Sequence, residues 1–164
     1  SRLVTTDHLT GLANKKHSLS VVEAHLDALR RSGKRFGVLF MNIDDFAEHN
    51  SFYGQEAGNH ILLTLAGQFR EPVFEPDFLG KGSRAEFLGV FEVPSEKQLL
   101  HRTEKLHTMI SHVSVEYTGR PIPITASMGA TMAEVGDTVQ QLVERAMSLM
   151  HVSRISGKNM STVR

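Results

Sequence analysis

The sequence predicts an α+β fold in which helices pack on one mainly antiparallel β-sheet. Three observations predict it. Helix-length segments carry apolar residues at steps of three and four, whereas shorter segments are apolar almost throughout. Two of the short segments flank a glycine-containing tip, as in a hairpin. There is neither an internal repeat nor the regular alternation of strands and helices that favours a parallel sheet.

The first half of the chain predicts three helices around one buried strand. Apolar residues at helical spacing predict a helix from about 17 to 32, which Gly33 is suited to end. Residues 35–43 are nearly all apolar, which predicts a central strand covered on both faces. A short helix at 46–52 and a longer one at about 55–70 follow.

The hairpin arms come next, before and after the tip around Gly80 and Gly82. Ser95, with Gln98 three residues on, resembles a capping box and predicts the start of a helix that runs to about residue 112. Residues 113–117 predict a short strand.

The last part of the chain predicts a turn at 119–123 and a strand at 124–132. Asp137 is expected to cap a final helix that ends near residue 153. A turn at 157–159 then leads to an edge strand at 160–163.

Composition bounds the classes of function. The 164 residues predict a single domain, and the first residue is not Met, so we expect a domain excised from a longer multidomain signalling protein. Its 18 basic and 18 acidic residues predict no nucleic-acid partner. No apolar run is long enough to span a bilayer, so we expect no membrane contact by this segment and a cytoplasmic location. Without cysteines there is neither a disulfide nor a thiolate metal site.

Three acidic residues are candidates for phosphoryl chemistry. Asp44 and Asp45 follow the central strand, and Glu86 lies beside the hairpin tip. Carboxylates placed in this way can hold Mg²⁺, which neutralises a triphosphate. The same residue types also act as helix caps or hydrogen-bonding partners that shape a strand end, and this second interpretation of Asp44 and Glu86 is favoured.

Five motifs in order resemble the GGDEF family, the diguanylate cyclases. They cover nearly the whole chain, at residues 7–15 (D-x-L-T-G-L-x-N), 42–59 (x-x-D-x-F…N…G…G), 83–87, 125–129 (T-x-S-x-G) and 154–159 (x-x-x-G-K-N). Ser83-Arg84-Ala85-Glu86-Phe87 falls where the signature Gly-Gly-Asp-Glu-Phe belongs. The resemblance implies a palm-like fold with a central, mainly antiparallel, five-stranded sheet surrounded by helices.

The family joins two GTP molecules into cyclic di-GMP between two domains that meet face to face. The resemblance implies that Mg²⁺ is held by the first acid of a D-x-D strand end and by the third residue of the hairpin signature. Here Asn42 and Ala85 occupy those positions, so no catalytic residue and no metal ligand is expected. Ser83 and Arg84 replace two glycines, and Arg84 is expected either to obstruct the phosphate space, which is favoured, or to contact phosphate.

The resemblance also implies which residues could hold a nucleotide. Asn50 matches the asparagine that reads guanine, and Asn59 replaces an acid that pairs with the guanine edge. Arg154 and Lys158 keep positive charge for phosphate, while Ala47 replaces a lysine. Active members often carry an R-x-x-D site for their product, and here its Arg is Phe74, although Asp77 remains, so feedback binding of cyclic di-GMP is not expected.

Four functional hypotheses follow from these residues. The leading hypothesis is a degenerate, catalytically inactive GGDEF domain that regulates an adjacent domain, such as an EAL phosphodiesterase, with a homodimer as a further candidate contact. A second is that GTP binds without turnover at Asn50, Asn59, Arg154 and Lys158, in which case Mg²⁺ could accompany it. The alternative is an active or weakly active cyclase in which Asp44 and Glu86 replace the lost ligands. A purely structural role without nucleotide also stays open.

Overall fold

The computed structural model describes residues 4–69 and 78–164. Within these ranges there are five helices, α1 (Lys15–Ser32), α2 (Phe46–Tyr53), α3 (Gln55–Phe69), α4 (Glu96–Ser111) and α5 (Val139–Ile155). The same ranges hold seven strands, β1 (Gly37–Ile43), β2 (Phe78–Lys81), β3 (Glu86–Phe91), β4 (Val115–Tyr117), β5 (Arg120–Ile122), β6 (Ala126–Met132) and β7 (Ser161–Val163). None of the described helices combines the length and apolar character needed to cross a membrane.

Strand β1 lies at the centre of a five-stranded sheet with the order β2-β3-β1-β6-β7. All pairs are antiparallel except β6–β7, which is parallel, so the predicted mainly antiparallel sheet is confirmed. Side chains of β1 point alternately to the two faces, as period-two geometry requires. Leu39 and Met41 join a core with α3 and α4, whereas Val38 and Phe40 join a second core with α1 and α5. The prediction of a central strand covered on both faces is therefore confirmed.

Helix α1 follows its predicted apolar spacing. Val22, Leu26 and Leu29 are buried on one face against the sheet. Gly33 ends the helix with φ 72°, and its N–H donates to the Leu29 carbonyl at 2.9 Å. The helix begins at Lys15, two residues before the predicted start, because the Asn14 side chain caps it.

The predicted turn at 119–123 is only partly correct. The structure has a two-residue turn at Thr118 and Gly119, both with positive φ (53° and 77°), and residues 120–122 form β5 paired with β4. Pro121 is tolerated because this ribbon has only two strands, so its missing N–H faces no further partner. Gly119, Pro121 and Pro123 are residue types typical of a turn.

The predicted cap of the last helix is one residue off. Thr138 caps α5, and it forms a reciprocal capping box with Gln141. Asp137, 7% exposed at its side chain, instead accepts two hydrogen bonds from Arg145, at 2.9 and 2.8 Å, and one from the Glu134 N–H. Arg145 also donates to the Met132 carbonyl, so the pair fastens the first turns of α5 to the end of β6.

We expect Asp137→Asn to lower the free energy of unfolding by about 2 kcal/mol at pH 7, because a charge-assisted bidentate contact is lost. Arg145 hydrogen bonds hold the pKa of Asp137 below its usual 3.8, against the raising effect of burial. A depressed folded pKa gives stability that is present above the unfolded pKa and is lost as the pH falls through the folded pKa. The difference in melting temperature between wild type and variant should therefore shrink below about pH 4.

Asp27→Asn is the matched control, since Asp27 meets Arg30 only in an exposed pair at 3.4 Å. Thermal melts followed by circular dichroism from pH 7 to pH 3 make the comparison. An Asp137→Asn effect that stays constant with pH would contradict the assigned role of the carboxylate.

Candidate functional site

A cleft of about 380 Å³ opens at one end of the sheet. Four parts of the chain form it: the end of β1, the start of α2, the tip of the β2–β3 hairpin and the turn after α5. Its lining residues are Asn42, Ile43, Asp45, Phe46, Ala47, Glu48, Arg84, Ala85, Glu86, Arg154 and Lys158. The structure thus brings together the predicted residues of the β1 end, most of the hairpin tip and the closing turn, which lie far apart in the sequence.

Asn42 and Ala85 are neighbours across the β1–β3 pair. Asn42 is paired in register with Glu86, and the Ile43 N–H donates to the Ala85 carbonyl at 3.1 Å. Both residues line the cleft. An amide and a methyl group therefore face the cleft where a divalent cation would need anionic oxygens.

The hairpin tip is held in one conformation by its own contacts. Ser83 N–H donates to the Glu86 carboxylate at 3.1 Å, and Arg84 adopts a left-handed conformation with φ 50°. The ammonium group of Lys81, 4% exposed, donates to the Arg84 carbonyl and lies 5.0 Å from the centre of the Phe87 ring. Burial lowers the pKa of Lys81, although the charges of Asp7 and Glu86 oppose this effect.

Asp44 lies behind the cleft wall and is 2% exposed. Its carboxylate accepts hydrogen bonds from the Thr125 and Ser127 hydroxyls, each at 2.6 Å, and from the Asn159 N–H at 3.0 Å. Three donors from β6 and from the turn after α5 therefore converge on one side chain. Ser127, the serine of the T-x-S-x-G motif, is one of these hydrogen-bond donors.

We expect Asp44→Ala to lower the free energy of unfolding by about 3 kcal/mol, because two hydroxyls and one N–H lose a charged acceptor in a buried place. Asp45→Asn should change it much less, since asparagine tolerates the left-handed φ of 56° at this position and only an exposed ion pair is lost. Urea unfolding followed by circular dichroism compares the two variants. Equal losses would contradict the assignment of Asp44 as the anchor of this end of the sheet.

The last turn of α5 and the turn after it bring the basic side chains of Arg154 and Lys158 to the cleft. Lys158 forms an ion pair with Asp45, and this hydrogen bond raises the pKa of Lys158. Lys158 and Asn159 both have positive φ, which turns the Asn159 N–H toward Asp44. Within residues 4–69 and 78–164, neither Arg154 nor Arg84 has an ion pair or a side-chain hydrogen bond.

The two candidate guanine-reading residues lie outside the cleft lining. Asn50 is on α2 and Asn59 is near the start of α3. The Asn50 amide oxygen is buried without a hydrogen-bond partner, and a Cβ on Gly58 would come within 2.1 Å of it. Gly58 thus permits this close approach of α2 and α3. Phe74 and Asp77, the candidate product-site residues, lie outside the described residues.

Sequence reasoning did not find several residues that shape the site. Thr125 and Asn159 both bind Asp44, and Lys81 holds the hairpin tip. Thr125 and Asn159 lie in two of the family motifs, but the sequence does not predict their contacts with Asp44, because these contacts join distant parts of the chain. The contact of Lys81 depends on the conformation of the tip. Glu48, an exposed acid in the first turn of α2, also lines the cleft.

Magnesium does not fit the donors that this site offers. Over the described parts of the chain, no group of three or more histidine, aspartate or glutamate side chains is placed so that it could hold a metal ion. Asp44 already accepts three hydrogen bonds, and Glu86 accepts one from the tip. Mg²⁺ requires hard oxygen ligands in near-octahedral geometry, which Asn42 and Ala85 do not supply.

The chain is similar to several known proteins. The family model described as "Diguanylate cyclase, GGDEF domain" matches residues 4–160. Diguanylate cyclase DgcP of Pseudomonas aeruginosa is 27% identical over 94% of the chain, and the bifunctional diguanylate cyclase/cyclic di-GMP phosphodiesterase MucR of the same species is 28% identical over 96%. The chain spans 23% of the length of each. The GGDEF domain of DgcB from Caulobacter crescentus, solved with c-di-GMP, matches 99% of the chain and 96% of its own length with TM-score 0.89 at 23% identity.

Proposed function

The chain belongs to the GGDEF family of diguanylate cyclase domains, and on that premise we propose that it is a degenerate, catalytically inactive member. It serves as a regulatory or interaction module of a longer cyclic di-GMP signalling protein. It regulates the activity of an adjoining domain, for example a phosphodiesterase of the EAL type. The bifunctional relative MucR, whose name joins cyclase and phosphodiesterase activities, supports this kind of partner.

The observation that carries the proposal is the pair Asn42 and Ala85. They lie next to each other on the β1–β3 edge of the cleft, at the two positions where the family resemblance implies metal-binding acids. Each substitution alone removes one anionic ligand. Together they remove both, so the charge of a transferring phosphoryl group would have no metal to stabilise it.

The alternative, a surviving cyclase that uses Asp44 and Glu86, has less support. Asp44 is buried and both of its oxygens accept hydrogen bonds. Recruiting it as a ligand would break contacts to Thr125, Ser127 or Asn159. Glu86 lines the cleft with Asp45 and Glu48, but no three acidic or histidine side chains among the described residues are placed to hold a metal ion together.

Nucleotide binding without turnover is a second candidate function, and the Asn50 amide favours it. Its oxygen is buried without a partner, which is costly unless a ligand donor or a water reaches it. A guanine base presents N–H donors of that kind. Asn59 would accept fewer hydrogen bonds from guanine than a carboxylate does, so we expect weak selectivity for guanine.

The longer protein provides the test of the regulatory role. The activity of the adjoining domain is measured in the full protein and in a variant that lacks residues 1–164, each with and without GTP. If that domain is a phosphodiesterase, the measured activity is the hydrolysis of cyclic di-GMP. We expect deletion to change either the basal rate or its response to GTP. An adjoining domain whose rate and response both stay the same would contradict the proposal.

A further inference from the structure

Two arginine side chains without an ion pair among the described residues line the cleft in which the family resemblance implies two metal-binding acids. Arg84 and Arg154 both line it, and neither has an ion pair or a side-chain hydrogen bond in the described part of the chain. Lys158 is already paired with Asp45, and the Glu86 carboxylate accepts the Ser83 N–H. Glu48 is the remaining acid in the lining.

Arg84 is positioned by a fixed backbone. Its carbonyl accepts the buried Lys81 ammonium group, and the Glu86 N–H donates to the Ser83 carbonyl at 2.9 Å across the tip. The left-handed φ of 50° at Arg84 is maintained by these contacts. The backbone that carries Arg84 therefore needs no reordering when an anion binds, and only the side chain has to be ordered.

Arg84 leaves open space in the cleft. The cleft has a volume of about 380 Å³ with Arg84 among its lining residues, which favours contact with phosphate over the obstruction favoured from the sequence. This volume lies within the range of small-ligand sites, about 300–1,000 Å³. A guanidinium group is always charged and presents donors that match two phosphate oxygens at once.

Resting on the proposed function, we infer that the cleft binds a nucleoside di- or triphosphate, or another polyphosphate, without a divalent cation. The guanidinium groups of Arg84 and Arg154 supply the positive charge at the phosphates. Magnesium then has the opposite effect from the one expected of a metal-loaded site. It complexes the polyphosphate in solution, lowers the charge that the two arginines recognise, and weakens binding.

The test uses calorimetric titration of the chain with GTP and with inorganic tripolyphosphate, in EDTA and with Mg²⁺, at constant ionic strength. We expect both probes to bind in EDTA and to bind more weakly with Mg²⁺. Arg84→Ala should weaken binding of both by about tenfold or more, because charge-assisted bonds to phosphate are lost. Glu48→Gln should strengthen binding of both probes several-fold, because it removes a negative charge near the negatively charged phosphates.

Arg31→Ala is the matched control. Arg31 is exposed near the end of α1, about 25 Å along the helix from the Lys15 end that contacts the tip, and it should leave binding unchanged. Circular dichroism melts check that each variant is folded.

Three results would overturn the inference: binding that requires Mg²⁺, binding that Arg84→Ala leaves unchanged, and no binding of either probe. The second and third results leave the proposed regulatory role intact, and Mg²⁺-dependent binding is followed up by the separate assays for cyclic di-GMP and for the rate of the adjoining domain. Failure of this inference is therefore distinguishable from failure of the proposed function.

Discussion

Changing Asn42 and Ala85 together to aspartate should create a divalent-cation site. The two positions lie side by side on the β1–β3 edge and both line the cleft, so two carboxylates there would face one ion beside Glu86. Each added charge near a cation is worth several kcal/mol at the protein surface, which sets the expected gain in Mn²⁺ affinity at about a hundredfold or more. Titration followed by the electron paramagnetic resonance signal of unbound Mn²⁺ measures it.

The control adds the same charge elsewhere, with Ala24→Asp and Gln140→Asp at exposed positions of α1 and α5. It should not raise the affinity. Ala85 is 3% exposed, so the single variant Asn42→Asp, with a smaller expected gain, serves if the double variant fails to fold. A wild-type chain that binds Mn²⁺ as tightly as the double variant would contradict the assignment of Asn42 and Ala85 as the lost ligands.

Gly129→Ala should cause the largest loss of stability. Gly129 is in the middle of β6, and a Cβ there would come within 2.1 Å of the Met150 nitrogen and 2.4 Å of the Ala146 carbonyl oxygen, both in the α5 backbone. Neither backbone atom can rotate away, so the helix must shift off the sheet. We expect a loss of about 3 kcal/mol or more in the free energy of unfolding, at the upper end of what overpacking costs.

Gly67→Ala, on the exposed side of α3, is the matched control. Nothing lies within 4 Å of the added Cβ, and alanine favours a helix over glycine by about 0.8–1.0 kcal/mol. The two substitutions therefore should change stability in opposite directions in the same urea titration. A Gly129→Ala protein as stable as wild type would show that α5 does not pack on β6 as closely as described.

Most of the fold was predictable because its signals are local. The spacing of Val22, Leu26 and Leu29, with Gly33 after them, specifies α1 without reference to the rest of the chain. The strand at β5 was missed because Pro121 is a reliable strand breaker except in a ribbon as narrow as β4–β5. The cap of α5 was misassigned because Asp137 and Thr138 are both good capping residues, and only Arg145 makes Asp137 unavailable.

The candidate site was predictable only where the family motifs mark it. Asn42, Ala85, Arg154 and Lys158 were all expected at one site, and the structure brings them to one cleft. The role of Asp44 in joining β6 to the closing turn could not be derived, because its donors lie more than 80 residues away in sequence. The open volume beside Arg84 could not be derived from the sequence either, because it depends on how Lys81 and Glu86 hold the tip.

The site keeps the residues that support its structure but not the acids that would bind a metal. The supports of the site, Asp44 with its donors and Lys81 beneath the tip, keep the strand end and the hairpin in place. The groups that would handle metal, Asn42 and Ala85, have lost their charge. A cleft that keeps its architecture without these carboxylates supports the proposed binding or regulatory role over catalysis.

Incubation of the wild-type chain with GTP tests this account most directly. The chain is used at high protein concentration, because the family reaction needs two domains to meet, and with Mg²⁺ or Mn²⁺ in separate reactions. Products are separated by chromatography and identified by mass. The account predicts no cyclic di-GMP above the protein-free blank, whereas cyclic di-GMP that forms with the wild type and is abolished by Glu86→Ala would contradict it.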